Sequence, residues 1–165
     1  MLSIEDFIDR SSRPLLRSAW LLTGNWASAE DLVQTALLQS WRHWDAITSE
    51  TPEFYVRRVL MNTFLNGQRR RWSRERPVSQ LPDQPGSDEV SEAELRHVIW
   101  SALSALPARQ RAVIVLRYFN DLSEAQTAQV LDCSVGTVKS QASRALAKLR
   151  TAPELQSLLE EVGHE

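Results

Sequence analysis

DLSEAQTAQVLDCSVGTVKSQASRALAKLR, residues 121–150, reads as two short helices meeting across a tight turn. Ser123 with Gln126 three positions on has capping-box spacing, so a helix can start at Ser123 and continue through Ala128 to Leu131. Asp132 and Cys133 interrupt it. A second helix follows from Ser134, where Val135, Val138, Ala142, Ala145, Leu146 and Leu149 step by three and four and therefore share one face. That face is expected to be buried, which makes the stretch a helix-turn-helix.

The opposite face carries Thr137, Ser140, Gln141, Arg144 and Lys148, flanked by Lys139 and Ser143, and no acid occurs between 134 and 150. A helix with short polar and basic side chains outward and an apolar face docked on a scaffold suits a DNA major groove. Arg144 has the fork that pairs with guanine. Ser140, Ser143 and Gln141 can bond base edges, and Lys139 and Lys148 suit phosphates.

The net charge of −2 over 165 residues conceals blocks of alternating sign. Residues 1–56 hold four basic and eight acidic side chains, whereas 57–76 hold seven arginines against Glu75. Residues 77–133 return to −4, 134–150 reach +4, and the tail from 151 falls to −4. Two basic patches on an acidic background imply two grips on nucleic acid, with modest affinity of the free chain for DNA. The single cysteine, Cys133, excludes an internal disulfide and is expected to be a small buried apolar residue. No signal peptide or long apolar run is present, so a cytoplasmic protein without membrane insertion is expected.

The composition, poor in glycine and rich in alanine, leucine and arginine, leans all-α. Near the amino terminus Ile4, Phe7 and Ile8 share a helical face, and Pro14 opens or bends a second run through Leu15, Leu16, Ala19 and Trp20. Thr23-Gly24-Asn25 ends it. Ser28 and Asp31 then predict another start, with Leu32, Val33, Ala36, Leu37, Trp41 and Trp44 as the apolar stripe. Its outer face, with Glu30, Asp31, Gln34 and Gln39, is by itself an ordinary solvated surface.

Asp45 to Glu50 is a polar connection, after which Thr51 and Pro52 open a helix reaching Trp72. Val56, Val59, Leu60, Thr63 and Phe64 point inward, while Arg58, Asn62, Asn66 and Arg69 line the other side, extended by Arg70, Arg71, Arg74 and Arg76. Asparagines one turn apart among arginines and tryptophans can bond, hold and stack on unpaired bases, so single-stranded DNA is an expected ligand. Residues 77–90, PVSQLPDQPGSDEV, read as a flexible acidic linker. Ser91 and Glu94 then form a capping box for a helix with Leu95, Val98, Ile99, Ala102, Leu103 and Leu106. Pro107 restarts the chain into a helix with Ala112, Val113, Leu116 and Phe119 inward. The expected organisation is two small helical domains, 1–76 and 91–152, the second a four-helix unit. A short amphipathic tail, 153–165, carries Leu155, Leu158, Leu159 and Val162. It is expected to pack on the second domain, and an acidic helix there would also weaken DNA binding in the free protein.

Three stretches, AEDLVQTALLQSW (29–41), YVRRVLMNTFLNGQRRR (55–71) and ALPARQRAVIVLRYFNDLSEAQTAQVLDCSVGTVKSQASRALAKLR (105–150), resemble extracytoplasmic-function sigma factors of the sigma-70 family. SQASRAL further resembles a SigE-like subgroup. The resemblance implies a two-domain initiation factor that binds bacterial RNA polymerase core and recognises promoter DNA, double-stranded at the −35 element and single-stranded at −10. Asp31 and Gln34 match the polymerase-binding helix, and Asn62 and Asn66 match the −10 reading helix, beside Arg58, Arg69 and Arg70. Asp45 to Glu53 resembles the loop that captures a flipped base, trapping opened DNA without ATP. Gly136, Thr137, Lys139, Ser140, Ser143 and Arg144 match the −35 reading helix. The linker would cross the polymerase near the RNA exit, its acids mimicking nucleic acid, and many members have an anti-sigma protein as a further partner. Asp132 stands where glycine is common, Thr127 where isoleucine is usual and Gln141 where arginine is frequent, which leaves the −35 sequence open.

A helix-turn-helix repressor or response-regulator output protein is the alternative, but it would need only the second basic patch. Catalysis is not expected, and neither is a cofactor or metal. His43, His97 and His164 fall in separate elements, and no metal-ligand or nucleophile spacing occurs.

Overall fold

Ser3 opens the first helix, its Oγ accepting from the Asp6 N–H at 3.1 Å. That helix, α1 (Ile4–Thr23), runs straight through Pro14. The expectation that Pro14 opens a new run is therefore corrected: one proline removes a single backbone bond, and apolar residues on both sides of it, Phe7 and Leu15, are buried in the same core. Gly24 ends α1 at φ +68°, its N–H bonding to Trp20 O at 2.6 Å. Asn25 caps α2 (Trp26–Arg42) by accepting from the Ser28 N–H at 2.9 Å, so the helix starts ahead of Ser28, where it was expected.

A computed structural model of the chain describes residues 3–47, 51–71 and 90–157, with backbone only for 68–71 and 90–91, and the regular elements among them are all helical. A short turn, α3 (Trp44–Ile47), occupies part of the expected polar connection. Trp44 packs on Phe7 with ring centroids 5.4 Å apart, and Ile47 is buried, which gives that turn its hold. Pro52 begins α4 (Pro52–Arg71) as expected. The linker 77–89 and the tail beyond 157 lie outside the described residues.

Helix α5 (Val90–Ser104) starts one residue ahead of Ser91, and α6 (Ala108–Ile114) passes directly into a π-helical turn, Val115–Phe119. In that wider turn Asn120 N bonds to Val115 O at 2.9 Å. The wider turn rotates Phe119 away from the buried Ala112–Leu116 face, so Phe119 is exposed and not inward as its spacing predicted. Helices α7 (Glu124–Leu131) and α8 (Val135–Arg150) complete a four-helix unit. Burial in α5 grows toward its end: Ala102 and Leu103 are buried, while Leu95, expected inward, is exposed.

One contiguous apolar cluster joins Phe7, Leu15, Ala19 and Leu22 of α1 to Leu32, Val33 and Ala36 of α2 and Val56, Leu60, Met61 and Phe64 of α4. It continues into Ala112, Val113 and Leu116, then Ala128, Val130, Leu131 and Val138. Each large side chain buried there contributes about 1.5–3 kcal/mol. Cys133 is a free thiol packed against this cluster, half-buried where full burial was expected.

Candidate nucleic-acid interface

The helix-turn-helix is fixed by local bonds. Ser123 Oγ accepts from the Gln126 N–H at 3.0 Å, and Gln126 Oε1 accepts from the Ser123 N–H at 2.9 Å, completing the capping box that the spacing predicted. Asp132 closes α7 in the left-handed region at φ +52°, its N–H bonding to Ala128 O. That conformation favours glycine, and a short side chain such as Asp tolerates it better than most. Ser134 Oγ then accepts from the Thr137 N–H at 3.0 Å and opens α8.

Val138 and Ala145 are buried, with Ala142, Leu146 and Leu149 packed partly against the core clusters. Val135, expected on this face, is the first residue of α8 and is exposed. Gly136, Thr137, Lys139, Ser140, Ser143, Arg144 and Lys148 are all exposed and Gln141 is half-buried. Thr137 Oγ1 lies 2.9 Å from Ser134 Oγ, so its hydroxyl already serves the start of the helix.

Sequence reasoning missed a concavity beside this face. A cavity of about 280 Å³ is lined by Arg117, Tyr118, Glu124, Lys139, Ser143 and Arg150. Arg117 donates to Leu122 O and lies 5.7 Å over the Tyr118 ring, tying the π-helical turn to the loop that follows it. The clue was hidden by block-wise charge counting, since Arg117 falls in the acidic 77–133 block.

On α4 the exposed residues Arg58, Asn62 and Asn66 follow at intervals of four, while Val56, Leu60, Met61 and Phe64 are buried opposite them. Met61 joins the buried side unforeseen, and Val59 and Thr63 are only half-buried. Arg69 and Arg70 belong to the same helix, but their side chains lie outside the described part. Burial pushes the Arg57 guanidinium below its ordinary range, opposed by the charge of Glu53. Residues 48–50 of the expected base-capture loop are outside the described residues.

On α2, Asp31 and Gln34 are exposed, and two apolar side chains continue their row: Leu38 is 57 % and Trp41 60 % exposed. Trp41 was expected in the buried stripe. Ser40 takes that place instead, continuing Val33 and Ala36 and donating to Ala36 O at 2.7 Å, because residue 41 lies about 100° further around the helix. A mixed acidic and apolar row left bare on a helix suits a protein partner better than a nucleic acid. His43 and His97 are exposed, and no group of metal-ligating side chains occurs among the described residues.

Two family models match the chain in the same order as these surfaces: sigma-70 region 2 over residues 7–74 and sigma-70 region 4 over residues 96–149. The chain belongs to the sigma-70 family. It is 38 % identical over 159 residues to the RNA polymerase sigma-E factor of Streptomyces avermitilis, covering 96 % of this chain and 89 % of that one. It is also 38 % identical over 150 residues to the ECF RNA polymerase sigma factor SigL of Mycobacterium tuberculosis, covering 86 % of this chain and 84 % of that protein. Among solved structures, it resembles the sigma factor RpoE of Bartonella quintana, crystallised with the anti-sigma factor NepR. The TM-score is 0.71 at 26 % identity, over 88 % of this chain and 93 % of that one. CnrH, solved with the cytosolic domain of CnrY, shares the fold, with a TM-score of 0.63 at 22 % identity over 96 % of this chain and 88 % of that one. The region 2 match includes α2 and α4, which a repressor reading leaves without a purpose. Sigma factors are not an enzyme class, and among the described residues no helix is long and apolar enough to cross a membrane.

Proposed function

We propose that this sigma factor binds bacterial RNA polymerase core through the exposed α2 row and reads a promoter with two separate helices. Asp31 and Gln34, with Leu38 and Trp41 beside them, form the polymerase contact. Residues 1–76 act as a region 2 domain and 91–152 as a region 4 domain, joined by the acidic 77–90. The protein works in the cytoplasm, without catalysis of its own.

In the region 4 domain, α8 enters the major groove at −35. Arg144 takes the guanine-reading position, Ser140, Gln141 and Ser143 approach base edges, and Lys139 and Lys148 neutralise phosphates beside Gly136 and Thr137. In the region 2 domain, Asn62 and Asn66 bond the edges of unpaired −10 bases while Arg58, Arg69 and Arg70 hold the strand. Opening is driven by the affinity of these groups for the single strand, because a ligand that binds only the open state shifts the equilibrium toward it. An anti-sigma protein that covers the α2 row would silence the factor.

The observation that carries this reading is the presence, on one sigma-70 chain, of two outward faces of different chemistry. One is small and polar with basic ends, and the other pairs asparagines with arginine. Selection from a randomised promoter library, transcribed by core polymerase with this protein, tests it. Enriched sequences at both elements are expected; transcripts no more frequent than with core alone would defeat the reading.

A further inference from the structure

A notch cuts into the shared core where α1 and α4 run up to the π-helical turn. It is a cavity of about 480 Å³, and its apolar wall is made by Phe7, Leu15, Leu21, Leu60, Met61 and Phe119. Phe7, Leu15, Leu60 and Met61 belong to the continuous buried cluster, so the floor of the notch is the core itself. Protein interiors ordinarily fill such a space with side-chain volume, but α1 brings Ser11, Pro14 and Ser18 to it. Asn120 Nδ2 donates to Ser18 Oγ at 3.0 Å and fixes the far wall. The π-helical turn, a feature that recurs at functional sites, supplies Phe119, which is 47 % exposed and borders the notch.

Three cations border this apolar surface, Arg10 and Arg17 from α1 and Arg57 from α4, against the single acid Glu53. Arg10 and Arg17 are exposed and lie seven residues apart, about two helical turns, so they share one side of α1. Arg57 is half-buried, and loss of water pushes its guanidinium below its ordinary range despite Glu53. A cation partly stripped of water gains more from an anion than one in bulk solvent. Arg57 also sits about 100° around α4 from Arg58, so it leaves the row of Asn62 and Asn66 and has no part in the promoter reading proposed above.

A mostly apolar pocket of this size with a few polar groups at its edge is the ordinary form of a small-molecule site. A neutral hydrocarbon would leave the arginines unused, and a nucleic acid would gain nothing from the apolar wall. One negative charge on an aliphatic chain uses both. We infer that this notch binds a medium-chain carboxylate, its chain laid along Phe7, Leu60, Met61 and Phe119 and its carboxylate held by Arg10, Arg17 and Arg57.

Isothermal titration of the full chain with decanoate tests this, and one decanoate per chain is expected. Each buried methylene tightens binding about fourfold, so decanoate should bind about fifteenfold more tightly than octanoate. Decanol and decyltrimethylammonium keep the chain without the negative charge and should bind about tenfold more weakly or worse. Arg10→Gln with Arg17→Gln should weaken decanoate about tenfold, and Phe119→Ala about fivefold. All three residues are exposed, so the variants keep the fold, which circular dichroism checks. Absence of binding at about 1 mM decanoate, equal binding of the three decyl head groups, or an affinity unchanged by either variant would overturn the site. So would binding of decanoate only within a vesicle, which would mark a membrane contact. An acidic amphipathic peptide held through Arg10 and Arg17 where decanoate is not would overturn it too, and would give the notch to a polypeptide.

Discussion

Helices α4 and α8 both turn a polar face outward, but they are held in place by opposite means. Four large side chains of α4, Val56, Leu60, Met61 and Phe64, are sunk in the main core. Only Val138 and Ala145 of α8 are buried, and its position depends on caps at Ser123 and Ser134 and on the left-handed turn at Asp132. The difference fits the two tasks proposed for them. A helix entering a duplex groove must keep its flanks slim, whereas one gripping a separated strand can be anchored deeply on its other side.

Truncating the α4 anchor should have the largest effect. Phe64→Ala is expected to cost about 3–5 kcal/mol, read as a lower urea midpoint; a loss below about 1 kcal/mol would mean α4 is not anchored as described. Arg144→Ala, by contrast, should leave the urea midpoint within about 0.5 kcal/mol. It should erase about 1–3 kcal/mol of discrimination at one −35 base pair, measured by competition binding of core-loaded protein. Uniform weakening across all −35 sequences would demote Arg144 to a phosphate contact.

The caps of the turn sharpen the contrast. Ser123→Ala should cost about 1 kcal/mol, and thermal unfolding with intact region 2 surfaces checks it. Thr127 is fully buried with an unpartnered Oγ1, so Thr127→Val, which keeps the shape and removes the hydroxyl, is expected to raise stability by about 1 kcal/mol. A drop on that substitution would place a hydrogen-bond partner beside Thr127. Smallest is Asp132→Gly, which relieves the left-handed residue and should stabilise by roughly 0.5 kcal/mol after the entropic cost of glycine.

Local chemistry was legible at three boundaries and misread at two, since Asn25 and not Ser28 caps α2, and Ser91 lies inside α5. Ser123 with Gln126, Gly24 after Thr23, and Pro52 after Thr51 each mark a boundary by bonds within a few residues, and the structure keeps all three. Apolar spacing failed where tertiary context chose between neighbours. Trp41 and Ser40 are both compatible with the α2 pattern, and only the position of α1 and α4 assigns the buried place to Ser40. Phe119 left its face because a π-turn changes the residue angle, which the spacing of Ala112, Val113 and Leu116 cannot reveal. The α8 face was legible because small residues and missing acids are visible in one dimension. The Arg117 concavity, and the Trp100 indole lying so close over Gly24 that a Cβ there would meet it at 2.0 Å, join residues far apart in sequence, and no periodic pattern encodes them.

Footprinting of an open promoter complex tests the division of labour most directly, with core polymerase and either Arg144→Ala or paired Asn62→Ala and Asn66→Ala. Loss of −35 protection alone is expected from the first, and loss of permanganate-reactive thymines at −10 alone from the second. The same lesion from both, or the two lesions exchanged, would contradict two helices reading two elements.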